Sequence, residues 1–79
     1  MESTYTKTLY AVLRNLKENA GRARRVGDIL AELSIPDPTG QLASQIDGDL
    51  YRKGFVADTE QEGIMIIGRG ERALAGYGG

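Results

Sequence analysis

One stretch in the second half of the chain limits its fold more than any other. An amphipathic segment from Gln41 to Lys53 runs through Gly54 into Phe55-Val56. It then crosses a polar turn and returns as Ile64-Met65-Ile66-Ile67 before Gly68-Arg69-Gly70-Glu71-Arg72-Ala73-Leu74. The order this predicts is a helix, a glycine stop, a two-strand hairpin and a closing helix. Leu42, Ala43, Ile46 and Leu50 place one stripe of that helix against a core, and Gly54 stands where the left-handed conformation that ends helices is needed. Phe55-Val56-Ala57 begins the first strand, Asp58 to Gly63 reads as the turn, and the β-branched run Ile64 to Ile67 pairs back.

The first half supplies two more helices. Tyr5, Leu9, Val12, Leu13 and Leu16 follow the spacing of one helix face, which predicts a first helix over Thr6 to Asn19 with Asn19-Ala20-Gly21 as its stop. Arg22 to Val26 is a connector or one short strand. Val26, Ile29, Leu30, Leu33 and Ile35 are spaced for a short second helix from Asp28 to Leu33. Pro36-Asp37-Pro38-Thr39-Gly40 cannot continue it, because proline removes amide donors and restricts the residue before it. The third helix starts just beyond, capped by Thr39 or Asp37. The fold class is therefore α+β, mostly α: a three-helix core with a C-terminal β-hairpin and a short closing helix. Residues 4–75 form one domain, and Gly76-Tyr77-Gly78-Gly79 is expected to fray as a flexible tail.

Composition narrows the chemistry. Seventy-nine residues make one small domain, which buries about 60 to 65% of its unfolded surface. With no Cys and no His, neither a metal site nor a cofactor is expected, and no paired carboxylate or lysine spacing marks an enzyme. No apolar run approaches the roughly 18 residues of a membrane span. The opening Met1-Glu2-Ser3-Thr4-Tyr5 lacks the layout of a signal peptide. The expectation is a cytoplasmic protein. Ten basic and eleven acidic residues give a net charge of -1, so the overall field does not draw in a polyanion. The distribution is uneven, however: Lys7, Arg14, Lys17, Arg22, Arg24 and Arg25 lie in the first third, and acids are denser after Asp47.

Val26-x-x-Ile29-Leu30-x-x-Leu33-x-Ile35, followed after a turn by Leu50-x-x-x-Gly54-Phe55-Val56, is similar to the helix-turn-helix pattern of winged-helix regulators, including the MarR and PadR types. Ile66-Ile67-Gly68-Arg69-Gly70-Glu71-Arg72-Ala73-Leu74 resembles the segment where their second wing strand ends and a glycine opens the next helix. The likeness runs from Tyr5 to Leu74. It implies a third helix that enters a nucleic-acid groove and a hairpin wing on the flanking backbone. Two features depart from the pattern. The turn Pro36 to Gly40 is longer and richer in proline, and the wing tip carries Asp58, Glu60 and Glu62 where DNA binders favour Lys or Arg.

At about 100° per residue, Gln41, Ser44, Gln45, Gly48 and Arg52 fall on the side of the third helix opposite Leu42, Ile46 and Leu50. Gln pairs with adenine, Arg with guanine, and Ser adapts to base or phosphate, so these residue types suit a major-groove edge. Gly48 in a helix interior costs roughly 1 kcal/mol relative to Ala, which the close approach of another surface would explain. Arg22, Arg24 and Arg25 suit phosphate contacts from the connection between the first two helices. With Thr39 at the start of the third helix, they complete the expected set for double-stranded DNA. The alternative is a protein-interaction module without nucleic acid, which the acidic tip, the near-neutral charge and the flanking Asp47 and Asp49 favour. Tyr5 and Tyr10 extend the apolar surface of the first helix and suggest a homodimer through it. Gly68-x-Gly70-x-x-Ala73 matches a dinucleotide-binding turn by accident, since six residues follow Ala73 and a ribose-binding acid would stand about 20 residues on.

Overall fold

The computed structural model describes residues 3–19, 22–59 and 61–77. Its elements are α1 (Thr4–Glu18), α2 (Val26–Glu32), α3 (Gln41–Arg52), β1 (Val56–Thr59), β2 (Gly63–Ile66) and α4 (Gly68–Gly76). The class is α+β and mostly helical, with four helices and a two-stranded antiparallel hairpin among the described residues. No helix among them is long and apolar enough to cross a membrane.

Each helix boundary has a local cause. Ser3 caps α1, its hydroxyl accepting from the Thr6 amide at 3.1 Å, so the helix begins two residues before the Thr6 expected from the apolar stripe. At its far end the Asn19 amide bonds back to the Asn15 carbonyl. Ala20 and Gly21, the rest of the expected stop, lie outside the described residues. α2 starts at Val26 rather than Asp28, because the extended Arg25 ends a strand-like contact there and Val26 is already buried. It closes with Ser34 in the left-handed region (φ 60°) and the Ile35 amide on the Leu30 carbonyl at 2.9 Å. Leu33, counted with the core stripe in sequence, sits at this exit and is 37% exposed.

Asp37 is the acceptor that organises the start of α3. Its carboxylate takes the Leu42 and Ala43 amides at 3.1 and 2.9 Å, while Thr39 Oγ1 accepts only a longer bond from Gln41 at 3.4 Å. At the other end Gly54 adopts φ +73° and the Phe55 amide returns to the Leu50 carbonyl at 3.1 Å, as the glycine stop predicts.

The hairpin register is Val56↔Ile66, Ala57↔Met65, Asp58↔Ile64 and Thr59↔Gly63. Asp58 and Thr59, assigned to the turn from sequence, are strand residues, because pairing continues to Thr59. Thr59 also donates its hydroxyl to the Gly63 carbonyl at 2.6 Å. The strand expected to reach Ile67 stops at Ile66, and Ile67 becomes the cap of α4. The connector before α2, read from sequence as a connector or one short strand, makes a single isolated bridge: Arg24 and Ile64 exchange amide bonds at 2.9 and 2.8 Å. Gly63 makes this docking possible. It has φ +105°, and a Cβ there would be driven into the Arg24 carbonyl.

One apolar cluster joins every element: Leu9, Val12, Leu13 and Leu16 of α1, Val26, Ile29 and Leu30 of α2, Ile46 and Leu50 of α3, Val56, Ile64 and Leu74. The end of the chain differs from the expected tail. α4 continues through Gly76, and the Tyr77 ring stacks on Tyr10 with centroids 3.9 Å apart and planes within 9°. Tyr77 supplies the large apolar face that three neighbouring glycines had obscured in sequence. Gly78 and Gly79 lie outside the described residues.

Candidate nucleic-acid interface

α3 buries Ile46 and Leu50 completely and turns Gln41, Ser44, Gln45 and Arg52 outward. Tyr51 joins them at 61% exposed. It escaped the sequence reading because a tyrosine beside Leu50 looks like core. The same 100° spacing that selected Ser44 and Gly48 puts it next to them. Nothing within the fold crowds Gly48: a Cβ there would find only Arg52 Nη2, at 3.9 Å.

Arg52 is not a loose side chain. Its guanidinium pairs with Asp49 one turn back, and Asp49 also accepts the Tyr5 hydroxyl from α1. The Tyr5 hydrogen bond and then the Arg52 contact hold the Asp49 carboxyl below the usual carboxylate range. Burial, then the hydrogen bond to Asp49, pushes the Tyr5 phenol up to about 12. Tyr5 is thus turned to α3, and Tyr10, the other tyrosine expected at a helix 1 interface, is half-buried under Tyr77.

The three arginines of the connector have separate fates. Arg24 is built into the fold: Nη1 donates to Asn15 Oδ1 at 2.7 Å, Nη2 meets Glu32 Oε2 at 2.7 Å, and its backbone bridges Ile64. The hydrogen bond and charge of Arg24 hold Glu32 below its ordinary range. Arg25 is exposed and reaches the hairpin turn, donating from Nη2 to the Gln61 carbonyl at 3.0 Å. Arg22 is exposed and has no side-chain partner among the described residues.

Tertiary structure gathers some of the expected residues and separates others. Arg25, Ser44 and Gly63 share the wall of an open depression of about 330 Å³, with Arg24 and Asp47 beside them. Gln41 and Gln45 lie on the adjoining outward face of α3, and Thr39 just before its first turn. Arg52 is at the opposite end of α3, roughly 16 Å along the axis from Gln41.

Acidic groups interrupt this surface on one side. Asp47, Gly48, Tyr51, Ser44 and Asp58 line a second depression of about 260 Å³ between α3 and β1. Partial burial, and then the charge of Asp58, push the Asp47 carboxyl up. Gln61 and Glu62 are exposed at the hairpin turn, and Glu60 lies outside the described residues.

No family model matches the chain, and no curated protein or solved structure matches it. The functional reading rests on the surface just described.

Proposed function

We propose that the chain is a small winged-helix protein that binds double-stranded DNA, with α3 in the major groove and the hairpin as its wing, acting as a transcriptional regulator or accessory factor. The order of helix, edge bridge, two helices, hairpin and closing helix supports this reading. The observation that carries it is the acid-free, outward N-terminal half of α3. There Gln41, Ser44 and Gln45 are exposed, and Ser44 shares a depression with Arg25 and the start of β2, with Asp47 at its far edge along α3. Gln and Ser donate and accept at base edges. Arg25 and Arg22 take the phosphate contacts, and Arg24 holds the segment that presents them.

A titration of labelled duplex fragments at low and moderate salt tests the proposal. Binding should fall steeply with added salt. Gln45→Ala should weaken one preferred sequence, and Arg25→Ala should weaken all sequences and lower the salt slope by about one. Salt-independent binding, or none at low salt, removes the reading.

One observation favours a second reading, a protein-docking module. The depression holding Asp47 and Asp58 is edged by the exposed Tyr51 ring, and acids beside an exposed aromatic suit a basic protein surface. Asp58→Asn separates the two: it should strengthen binding to a duplex and weaken binding to a basic protein partner.

A further inference from the structure

A broad groove runs along the outer side of α1. This groove of about 420 Å³ has the outer stripe of α1 as its floor, Tyr77 on one wall and Glu32 with Leu33 on another. Its apolar surface comes from the stacked Tyr10 and Tyr77, from Ala11 and from the partly exposed Leu33. Along the floor the charges are ordered: Lys7 near the start, Arg14 past the middle, Glu18 at the end. None of these three has an ion-pair partner among the described residues.

We propose that this groove seats a second copy of the chain, the two α1 helices crossing antiparallel about a two-fold axis. A two-fold contact requires a surface complementary to itself when reversed. Reversing the stripe brings Lys7 of each copy to Glu18 of the other, whereas parallel alignment sets like charge on like. That register puts the axis midway between positions 7 and 18, between Ala11 and Arg14, so that the small Ala11 side chain leaves room for the arginine of the other copy. Arg14 of one copy then covers Ala11 of the other, and Tyr10 and Tyr77 are shielded from water twice over. The proposal does not depend on DNA binding, and its test contains no DNA.

Sedimentation equilibrium of the full chain, from low to high micromolar concentration, reads the outcome. Wild type should show a monomer–dimer equilibrium. Lys7→Glu alone and Glu18→Lys alone should each weaken it by about tenfold, because each change recurs at both symmetry-related contacts. The double variant Lys7→Glu/Glu18→Lys should recover to within about threefold of wild type. Residues 7 and 18 are three helical turns apart on one chain, so recovery requires contact between chains. Helical circular dichroism of all variants confirms that the exposed substitutions leave the fold intact. A wild-type monomer throughout, a dimer indifferent to the single changes, or a double variant as weak as the singles overturns the proposal.

Discussion

Gly63 and Gly48 are the same residue kept for opposite reasons. At the hairpin, Gly63 has φ +105° and the Arg24 backbone lies against it, so that no side chain fits. On α3, Gly48 has helical backbone and open space, and a Cβ would meet nothing nearer than 3.9 Å. Around Gly63 the chain's polar groups are spent on one another: Arg24 with Asn15, Glu32 and Ile64, and Arg25 with Gln61. Around Gly48, Arg52 and Asp49 pair with each other, while Gln41, Ser44 and Gln45 face water. Where the fold dictates a residue, that residue says little about function. Where the fold leaves it free, as along Gln41, Ser44, Gln45 and Gly48, the choice answers to something outside the chain.

The sharpest way to break this contrast is Gly63→Ala. Strain at positive φ together with the clash on Arg24 should cost about 3 kcal/mol or more, seen as a large drop in the denaturant midpoint. A variant as stable as wild type would mean that the Arg24 bridge does not hold the hairpin. Next in size is Arg24→Ala. Losing the hydrogen bond to Asn15 and its packing should destabilise by about 1 kcal/mol, whereas Arg25→Ala should change stability by less than about 0.5 kcal/mol. If the two variants unfold alike, the division between an arginine built into the fold and one lying on its surface is wrong.

Gly48→Ala probes the other pole. It should raise stability by somewhat under about 1 kcal/mol, since the helix gains propensity without a clash. Its effect on duplex affinity sharpens the comparison: a loss places a backbone-close surface at Gly48, and an unchanged affinity removes that explanation. The smallest effect is expected at Asp47. Burial and Asp58 raise its folded pKa, so ionising it costs the folded state, and the penalty is present at neutral pH and absent in acid. Asp47→Asn should therefore raise the melting temperature slightly near neutral pH. That gain should vanish as pH falls through the carboxylate range of about 4. An equal gain at both pH values would assign it to something other than charge.

Much of the scaffold is legible in the residues themselves, and particular misses show where legibility stops. The stripe Leu42, Ala43, Ile46 and Leu50 and the stop at Gly54 predict α3 closely, because periodicity and left-handed backbone are local properties. The spacing predicts the hairpin too, with a turn from Asp58 to Gly63 that is wider than the one formed. Nothing in Asp58-Thr59 announces that pairing continues, and the Thr59 hydroxyl contact with Gly63 exists only once the strands meet. Ser34 in the left-handed region and Ser3 as a cap carry weak signals, and both boundaries shifted accordingly.

The order of residues is enough to place the helices and the hairpin, the apolar side of α3 and the residues that stand opposite it. Those depend on spacing within a few turns of chain. Which charges are occupied is settled only when the elements pack together. Arg22, Arg24 and Arg25 are chemically alike as text, yet one is bound to α1 and α2, one reaches the hairpin and one remains exposed. In the same way Tyr5 became a partner of Asp49, and Tyr77 was drawn from an expected tail onto Tyr10. A side chain's partner is set by segments that meet across the core, and no local pattern encodes that distance.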